Sequence, residues 1–362
     1  GRVRHLEFEI TEDPLAFRRL RGIKRIGPSA LQMIQEYLRT GKISRIEGFK
    51  ADPDRVAMRA MVDIWGIGRA TASQLVYEGY RNIDQVRQAL AGGTLTLNQH
   101  RRIGVECYED FLEKMSRSEV EAIAEIVLKA VKEQLVNAQV TIMGSYRRGK
   151  TKCGDVDLLI TEPTYIKETP KGAVGKIAAL LAKRGHIVHH LTNIDGLIEP
   201  QRESNQSSDD IPTSSDSDDL NHFSSQTYMG VFASPVTPGK RRRIDIKFYP
   251  YRERVYAFLY FTGNGWFNRS MRLWAKRVKG MYLNDHGLFP AGDKHNVPKP
   301  SERLPIEATT ESQVFDALGL VYKTPDKRTC FDDVIGKDGI PSVQFEVSKA
   351  DVWDETQHRW ID

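Results

Sequence analysis

Asp155 and Asp157, in Asp155-Val156-Asp157-Leu158-Leu159-Ile160, are two carboxylates spaced to leave one face of a β-strand together. Residues two apart on a strand share a face, so Val156 and Leu158 turn to the core while the acids converge opposite them. A third acid, Asp245, lies in the alternating run Arg243-Ile244-Asp245-Ile246-Lys247-Phe248, between two isoleucines that claim the core face. A lone Asp-x-Asp strand is more often a solvated edge. Three carboxylates on neighbouring strands are different, because hard oxygen ligands suit Mg²⁺, with Mn²⁺ as a substitute ion. Such a set can hold two divalent ions about 3.5–4 Å apart for in-line phosphoryl transfer. Catalytic and metal-ligand roles are therefore expected for Asp155, Asp157 and Asp245.

The elements that must position these acids surround them in the sequence. Val140 to Met143 reads as a strand, and Gly144-Ser145 then turns the chain into a short helix whose free amides can hold an anion. Arg147, Arg148 and Lys150 add positive charge there, and Cys153-Gly154 returns the chain to the aspartate strand. Val120, Ile123, Ala124, Val127, Val131 and Leu135 recur at helical spacing, which predicts a buried stripe rather than a site. His186, His189 and His190 lead from an alanine- and leucine-rich helix into a strand and are not expected to be metal ligands. In the first third, Ile64-Trp65-Gly66-Ile67-Gly68-Arg69 reads as a helix-hairpin-helix. Its glycines permit a tight turn, and the amides opening the next helix can reach a DNA phosphate. Gly22 to Ala30, with Gly27 at the corresponding turn, reads as a second hairpin. Contacts of this kind ignore base sequence. Each hairpin alone also fits a simple helix-turn-helix packing element.

The 362 residues are too many for one ordinary domain, and 40% apolar residues supply real cores. Net charge is +5, but the stretch from Glu199 to His222 carries seven acids against Arg202 alone, leaving +11 on the remainder. A basic body suits a phosphate-rich partner. Ser/Asp-rich composition makes about 199–227 a mobile-loop candidate. No apolar run is long enough to span a membrane, and no secretory leader is expected. Three cysteines, Cys107, Cys153 and Cys330, at no metal-like spacing, fit a reducing compartment.

A further block, YFTGNGWFNRSMRLWAKRVKGMYLNDHGL from Tyr260 to Leu288, completes a pattern with GSYRRGK and DVD. From about Leu20 to Arg328 the chain resembles the family X DNA polymerases, with features of the lambda, mu, terminal-transferase and fungal polymerase IV branches. The resemblance implies an α/β (α+β) hand-like nucleotidyltransferase with a helical N-terminal domain over residues 1–50 and fingers over 51–113. A mixed-sheet palm would follow over 114–250, then a thumb with a C-terminal extension over 251–362. It implies addition of dNTPs to DNA 3′ ends in gap filling and non-homologous end joining, in the nucleus, by a monomer with end-joining factors as partners. Ser145, Arg148 and Gly154 would bind the triphosphate with help from Lys114, which also reads as a solvated helix lysine. Tyr260, Phe261 and Gly263 would line sugar and base, Asn268 would read the minor-groove edge, and Arg272 would reach the template. Gly66, Gly68, Arg69 and Gly27 would contact DNA. Tyr260-Phe261 suggests a preference for dNTPs over rNTPs. Met33 stands where some members carry a Schiff-base lysine, so no or very weak 5′-deoxyribose phosphate lyase activity is expected, with Lys24 as the nearest imperfect substitute. The segment 199–227 falls where the family carries its variable loop 1. The two other readings are an RNA-tailing nucleotidyltransferase and a non-catalytic DNA end-bridging protein. The paired hairpins and thumb block argue against the first, and the intact acid triad argues against the second.

Overall fold

The computed structural model describes residues 8–23, 26–198, 225–290, 306–339, 352–354 and 359–361. Lys24, Arg25 and most of the acidic segment, 199–224, lie outside them. The chain forms two compact units, Gly1–Tyr108 and Glu109–Asp362. Among the described residues no helix is long and apolar enough to cross a membrane.

The first unit is built of short helices with clear sequence stops and starts. Pro14, Pro28 and Pro53 each open a helix, where a missing N–H costs nothing. Asp13, Asp52, Asn82 and Asn98 accept backbone N–H groups at four helix starts. Between helices Pro53–Val62 and Arg69–Tyr77 the chain turns at Gly66, whose φ of +81° suits glycine. Ile64 and Ile67 bury themselves on either side of that turn with Ala57, Met61, Ala72 and Leu75. Gly104, on helix Gln99–Glu106, presses against the same turn. A Cβ there would lie 2.0 Å from the Trp65 carbonyl oxygen.

In the second unit a five-stranded sheet runs in the order Gln139–Ile142, Val156–Thr161, Arg241–Phe248, Gln226–Ala233, Ile187–His190. The second and third of these strands are parallel and the other neighbours antiparallel. Val156, Leu158, Ile160, Ile244, Ile246 and Phe248 face helices Arg117–Lys132 and Ala173–Lys183, and the predicted stripe from Val120 to Leu135 fills that core. Leu159, on the aspartate face, is covered by Met143, Tyr249 and Ala257. His186 stacks on Phe232, and His190 Nδ1 lies 2.7 Å from the Tyr228 hydroxyl.

Helices Arg254–Thr262, Gly265–Lys279 and Glu311–Ala317 enclose a separate core around Tyr256, Phe267, Met271, Trp274 and Phe315. The chain beyond Arg328 packs back on it: Val334 enters this core, and Gly336 lies so close to Trp274 that a Cβ would meet Cη2 at 2.6 Å. Further on, Val352–Asp354 and Arg359–Ile361 form a hairpin that pairs Trp353 with Trp360 along its backbone.

Candidate active site

Strand register brings Asp157 and Asp245 together. Asp157 is the direct partner of Asp245 across the parallel pair, and Asp155 sits immediately before the first of these strands. Both strands alternate as their sequences dictate, with the isoleucines inward and Asp245 on the opposite face. Gly144 closes the cradle from behind. Its φ is +56°, and a Cβ on it would stand 1.9 Å from Asp157 Oδ2, so both conformation and space require glycine. The Met143 amide donates to the Asp157 carbonyl at 2.8 Å, fixing the short helix Gly144–Arg147 beside the acids.

Burial and mutual repulsion dominate the electrostatics of the acids. Burial, then the neighbouring Asp155 and Asp245 charges, push Asp157 up to about 7. Asp245 is also raised, by burial first and then by Asp155, against the opposing pull of Lys247 and Arg243. Three oxygen-ligand carboxylates that repel one another, beside a cradle free of side chains, fit divalent ions. They are not gathered as a ready-made cluster, since among the described residues no group of three or more His, Cys, Asp or Glu is assembled to ligate a metal. Asp155 is instead held by Arg243, whose Nη2 lies 2.7 Å from Oδ2.

The strand carrying Asp245 is anchored just ahead of it. Arg242 is buried and donates through Nε to Glu119 Oε1 at 2.7 Å and through Nη1 to the carbonyls of Asp110 and Glu113. Ser234 Oγ also donates to Glu119, at 2.6 Å. A fully partnered ion pair of this kind adds little net stability, but removing one member strands a buried charge.

A second group of residues lies on the other side of the short helix. Arg148 donates through Nη1 to the Thr262 carbonyl, and Gly263, with φ +67°, leaves room for it: a Cβ would sit 3.1 Å from that nitrogen. Burial lowers Arg148, while Asp157 and Asp155 act in the opposite direction. The neighbouring Arg147 forms a fork with Glu311, at 3.1 and 2.8 Å, and also reaches the Thr262 hydroxyl. Glu311 accepts from the fully buried Arg328 at 2.7 Å as well. Burial alone would raise Glu311, but the two arginines outweigh it and hold its carboxyl low. Ser145 stands one residue beyond Gly144 and is partly exposed. Lys114 is exposed; it precedes the two-residue strand Met115–Ser116, whose partner is Lys152–Cys153, so the same register places it across from Gly154.

Tyr260, Asn268 and Arg272 meet in a small cleft also lined by Tyr256, Met271 and Asn284. Asn268 Nδ2 donates to the Tyr260 carbonyl at 2.7 Å, and the Arg272 guanidinium lies 4.9 Å from the Tyr260 ring centre. Phe261 packs edge-on against Tyr260 and Tyr249, with Lys247 Nζ 4.7 Å from its ring centre. Tyr249 is itself tied to Asp285 through its hydroxyl. In the first unit, Gly68 and Gly27 cap helices Arg69–Tyr77 and Pro28–Thr40 without a side-chain acceptor, and Arg69 opens the first of these. Met33 lies on the second, partly buried.

Arg243, Arg242 with Glu119, Arg147 with Glu311 and Arg328, and the Tyr249–Asp285 tie are absent from the sequence reading. The partners stand 88, 123 and 164 residues apart for the first three. Arg241, Arg242 and Arg243 all stand ahead of Asp245 in the sequence, but nothing local says which acid each meets.

Residues 114–251 match the DNA polymerase beta palm, 257–329 the DNA polymerase beta thumb, and 59–112 the fingers domain of DNA polymerase lambda. The chain belongs to the family X DNA polymerases. Among curated relatives it is 31% identical to DNA polymerase lambda of Rattus norvegicus over 305 residues, covering 84% of this chain and 47% of that protein. It is 29% identical to DNA polymerase lambda of Arabidopsis thaliana over 310 residues, 85% and 53% of the two chains. It is also 29% identical to the DNA-directed DNA/RNA polymerase mu of Homo sapiens over 322 residues, 85% and 60%. The chain thus spans about half the length of these family X relatives.

Proposed function

We propose that this chain is a DNA-directed DNA polymerase that adds dNTPs to DNA 3′ ends. The observation that carries the reading is the pairing of Asp157 with Asp245 across parallel strands, with Asp155 beside them and the Gly144 cradle behind. Asp155, Asp157 and Asp245 would hold two Mg²⁺ ions, with Mn²⁺ as a substitute. Bound there, divalent ions lower the pKa of an attacking hydroxyl and neutralise charge on a leaving pyrophosphate.

The chain's own residues do the rest. The amides of Gly144–Arg147 and the Ser145 hydroxyl offer donors to a triphosphate, and the Arg148 fork suits its oxygens. Gly154 admits the phosphates close to the backbone, and Lys114 adds a cation at the rim. Tyr260 and Phe261 pack against sugar and base, Gly263 permits close approach, Asn268 offers an amide to the minor-groove edge, and Arg272 meets the template. Gly66, Gly68, Arg69 and Gly27 hold DNA phosphates through uncapped helix starts. We read residues 1–50, 51–113, 114–250 and 251–362 as N-terminal domain, fingers, palm and thumb with extension. The substrates are gapped or broken DNA ends, the pathway gap filling and non-homologous end joining in the nucleus, with end-joining factors as partners of a monomeric polymerase. The likeness to polymerases named lambda and mu supports the DNA polymerase reading.

Alanine at Asp155, Asp157 or Asp245 tests the site. Each should remove nearly all nucleotide addition while DNA binding survives. Near-normal turnover by Asp245→Ala would sink the assignment, and a comparison of DNA with RNA primers separates this reading from an RNA-tailing enzyme.

A further inference from the structure

The turn that would take a triphosphate is too short to hold itself. Helix Gly144–Arg147 has four residues, and a single helical turn on its own costs more backbone freedom than its hydrogen bonds return. The Gly149 amide donates to the Tyr146 carbonyl at 2.9 Å and the Lys150 amide to the Ser145 carbonyl at 3.1 Å, and Gly149 takes a φ of +75°. Ser145 and Arg148 are carried by this turn, so whatever fixes its backbone fixes them.

An arginine braces it from outside. Arg117, the first residue of helix Arg117–Lys132, donates through Nη1 to the Tyr146 carbonyl at 2.8 Å and to the Lys150 carbonyl at 3.2 Å. Its guanidinium carbon lies 3.5 Å from the centre of the Tyr146 ring, within reach of a cation stacked on an aromatic face. Glu121, one helical turn further on, accepts from the Tyr146 hydroxyl at 2.5 Å, so one side of one helix holds the ring at its face and at its tip. The segment just before that helix pairs Met115 with Cys153 and Ser116 with Lys152, at the far end of the turn. Between these ties, Glu119 bonds the buried Arg242 on the strand that carries Asp245.

Residues 115–121 thus hold the phosphate turn and the Asp245 strand in one frame. We propose that Arg117 is a positioning residue for the incoming nucleotide, acting through the turn 144–150 to aim Ser145 and Arg148 at the triphosphate. Its Nη1 is committed to the two carbonyls, so its effect passes through the backbone that it holds. The role asks for arginine, because it combines a planar face for the Tyr146 ring with in-plane N–H groups for the carbonyls. A lysine ammonium supplies the charge and lacks the plane. The proposal rests on the polymerase reading above.

The test is single-nucleotide gap filling by the full chain with dNTP concentration varied, beside amide hydrogen exchange over residues 144–150. Arg117→Ala should raise KM for dNTP about 10-fold, the low end for losing hydrogen bonds to a charged group, with kcat within about 3-fold of wild type. The Gly149 and Lys150 amides should exchange roughly 10-fold faster in that variant. Arg117→Lys should keep most of the KM defect, and Tyr146→Leu should reproduce it. In an Arg148→Ala background the Arg117→Ala penalty should shrink below about 3-fold, because both act through one contact. Thermal melting checks folding; if Arg117→Ala is unfolded, Arg117→Lys and Tyr146→Leu are held to the same criteria. An unchanged KM, a wild-type KM in Arg117→Lys, or a penalty that adds in full to that of Arg148→Ala overturns the role. Any of these outcomes beside normal extension by the wild-type chain removes the positioning role alone. No extension by the wild-type chain, with faster exchange in Arg117→Ala, removes the polymerase reading alone and leaves the brace standing.

Discussion

Arg243 Nη2 and Asp155 Oδ2 stand 2.7 Å apart, so a cationic side chain occupies the carboxylate where a divalent ion would bind. Both draw on the same carboxylate, so the Arg243 contact weakens the hold of Asp155 on an ion; Arg243 Nε is buried without a hydrogen-bond partner.

This gives a direct prediction. Arg243→Gln removes a charge-assisted contact worth about 1.5–3 kcal/mol, part of which any ion must displace. In DNA-free protein, Mn²⁺ should bind roughly 3- to 10-fold more tightly to the variant, measured by titration calorimetry. An unchanged affinity would mean that the pair does not compete with the ion.

The raised Asp157 makes stability depend on pH in a specific direction. Its proton is held more strongly in the folded chain than in the unfolded one, where the carboxyl titrates near 3.8. Stability from this group is full below that value and is lost as pH rises through about 7. Asp245 shifts the same way. His286, raised because Glu253 and Asp285 outweigh its burial, also loses its contribution as pH rises. Without divalent ions, the melting temperature should fall between pH 5 and pH 8, and Mg²⁺ should recover more of it at pH 8 than at pH 5. Asp157→Asn should flatten the metal-free profile. A profile identical to wild type in that variant would assign the effect elsewhere.

Lyase chemistry needs an amine to attack the sugar aldehyde, and Met33 on helix Pro28–Thr40 has none. Incubation with an incised abasic site and borohydride should trap little or no protein. Efficient trapping of the wild-type chain would refute the expectation. Lys24 lies outside the described residues.

The acidic segment invites a deletion. A gap supplies a continuous template, whereas noncomplementary ends do not, so a loop that substitutes for template positioning matters only for the latter. Removing residues 203–220 should spare gap filling and reduce synthesis across noncomplementary 3′ ends. Equal retention of both activities would leave the segment a passenger.

What the sequence made legible follows from range. Alternation in Asp155–Ile160 and Arg243–Phe248 is a local pattern, so the core faces and the outward side of the acids could be read without coordinates. The glycine turn at Gly66 and the stripe from Val120 to Leu135 were local in the same sense. Pairing Asp157 with Asp245 required knowing that their strands are neighbours, 88 residues apart, and an acid spacing alone does not give sheet order. The arginines were less legible still. Arg147 and Arg148 are adjacent in sequence, yet one is committed to Glu311 and the other to the Thr262 carbonyl. Gly104 had no signature, because its need for glycine comes from Trp65, a neighbour from another helix-hairpin segment.

Val334 in the core around Trp274, with Gly336 flush against that ring, has a practical consequence for anyone cutting this chain. A boundary drawn at residue 329, where the thumb match stops, would remove a wall of the hydrophobic interior instead of a dispensable appendage. A truncation that keeps residues through 339 preserves the seal; one that stops ten residues earlier exposes the Trp274 indole to water and invites aggregation.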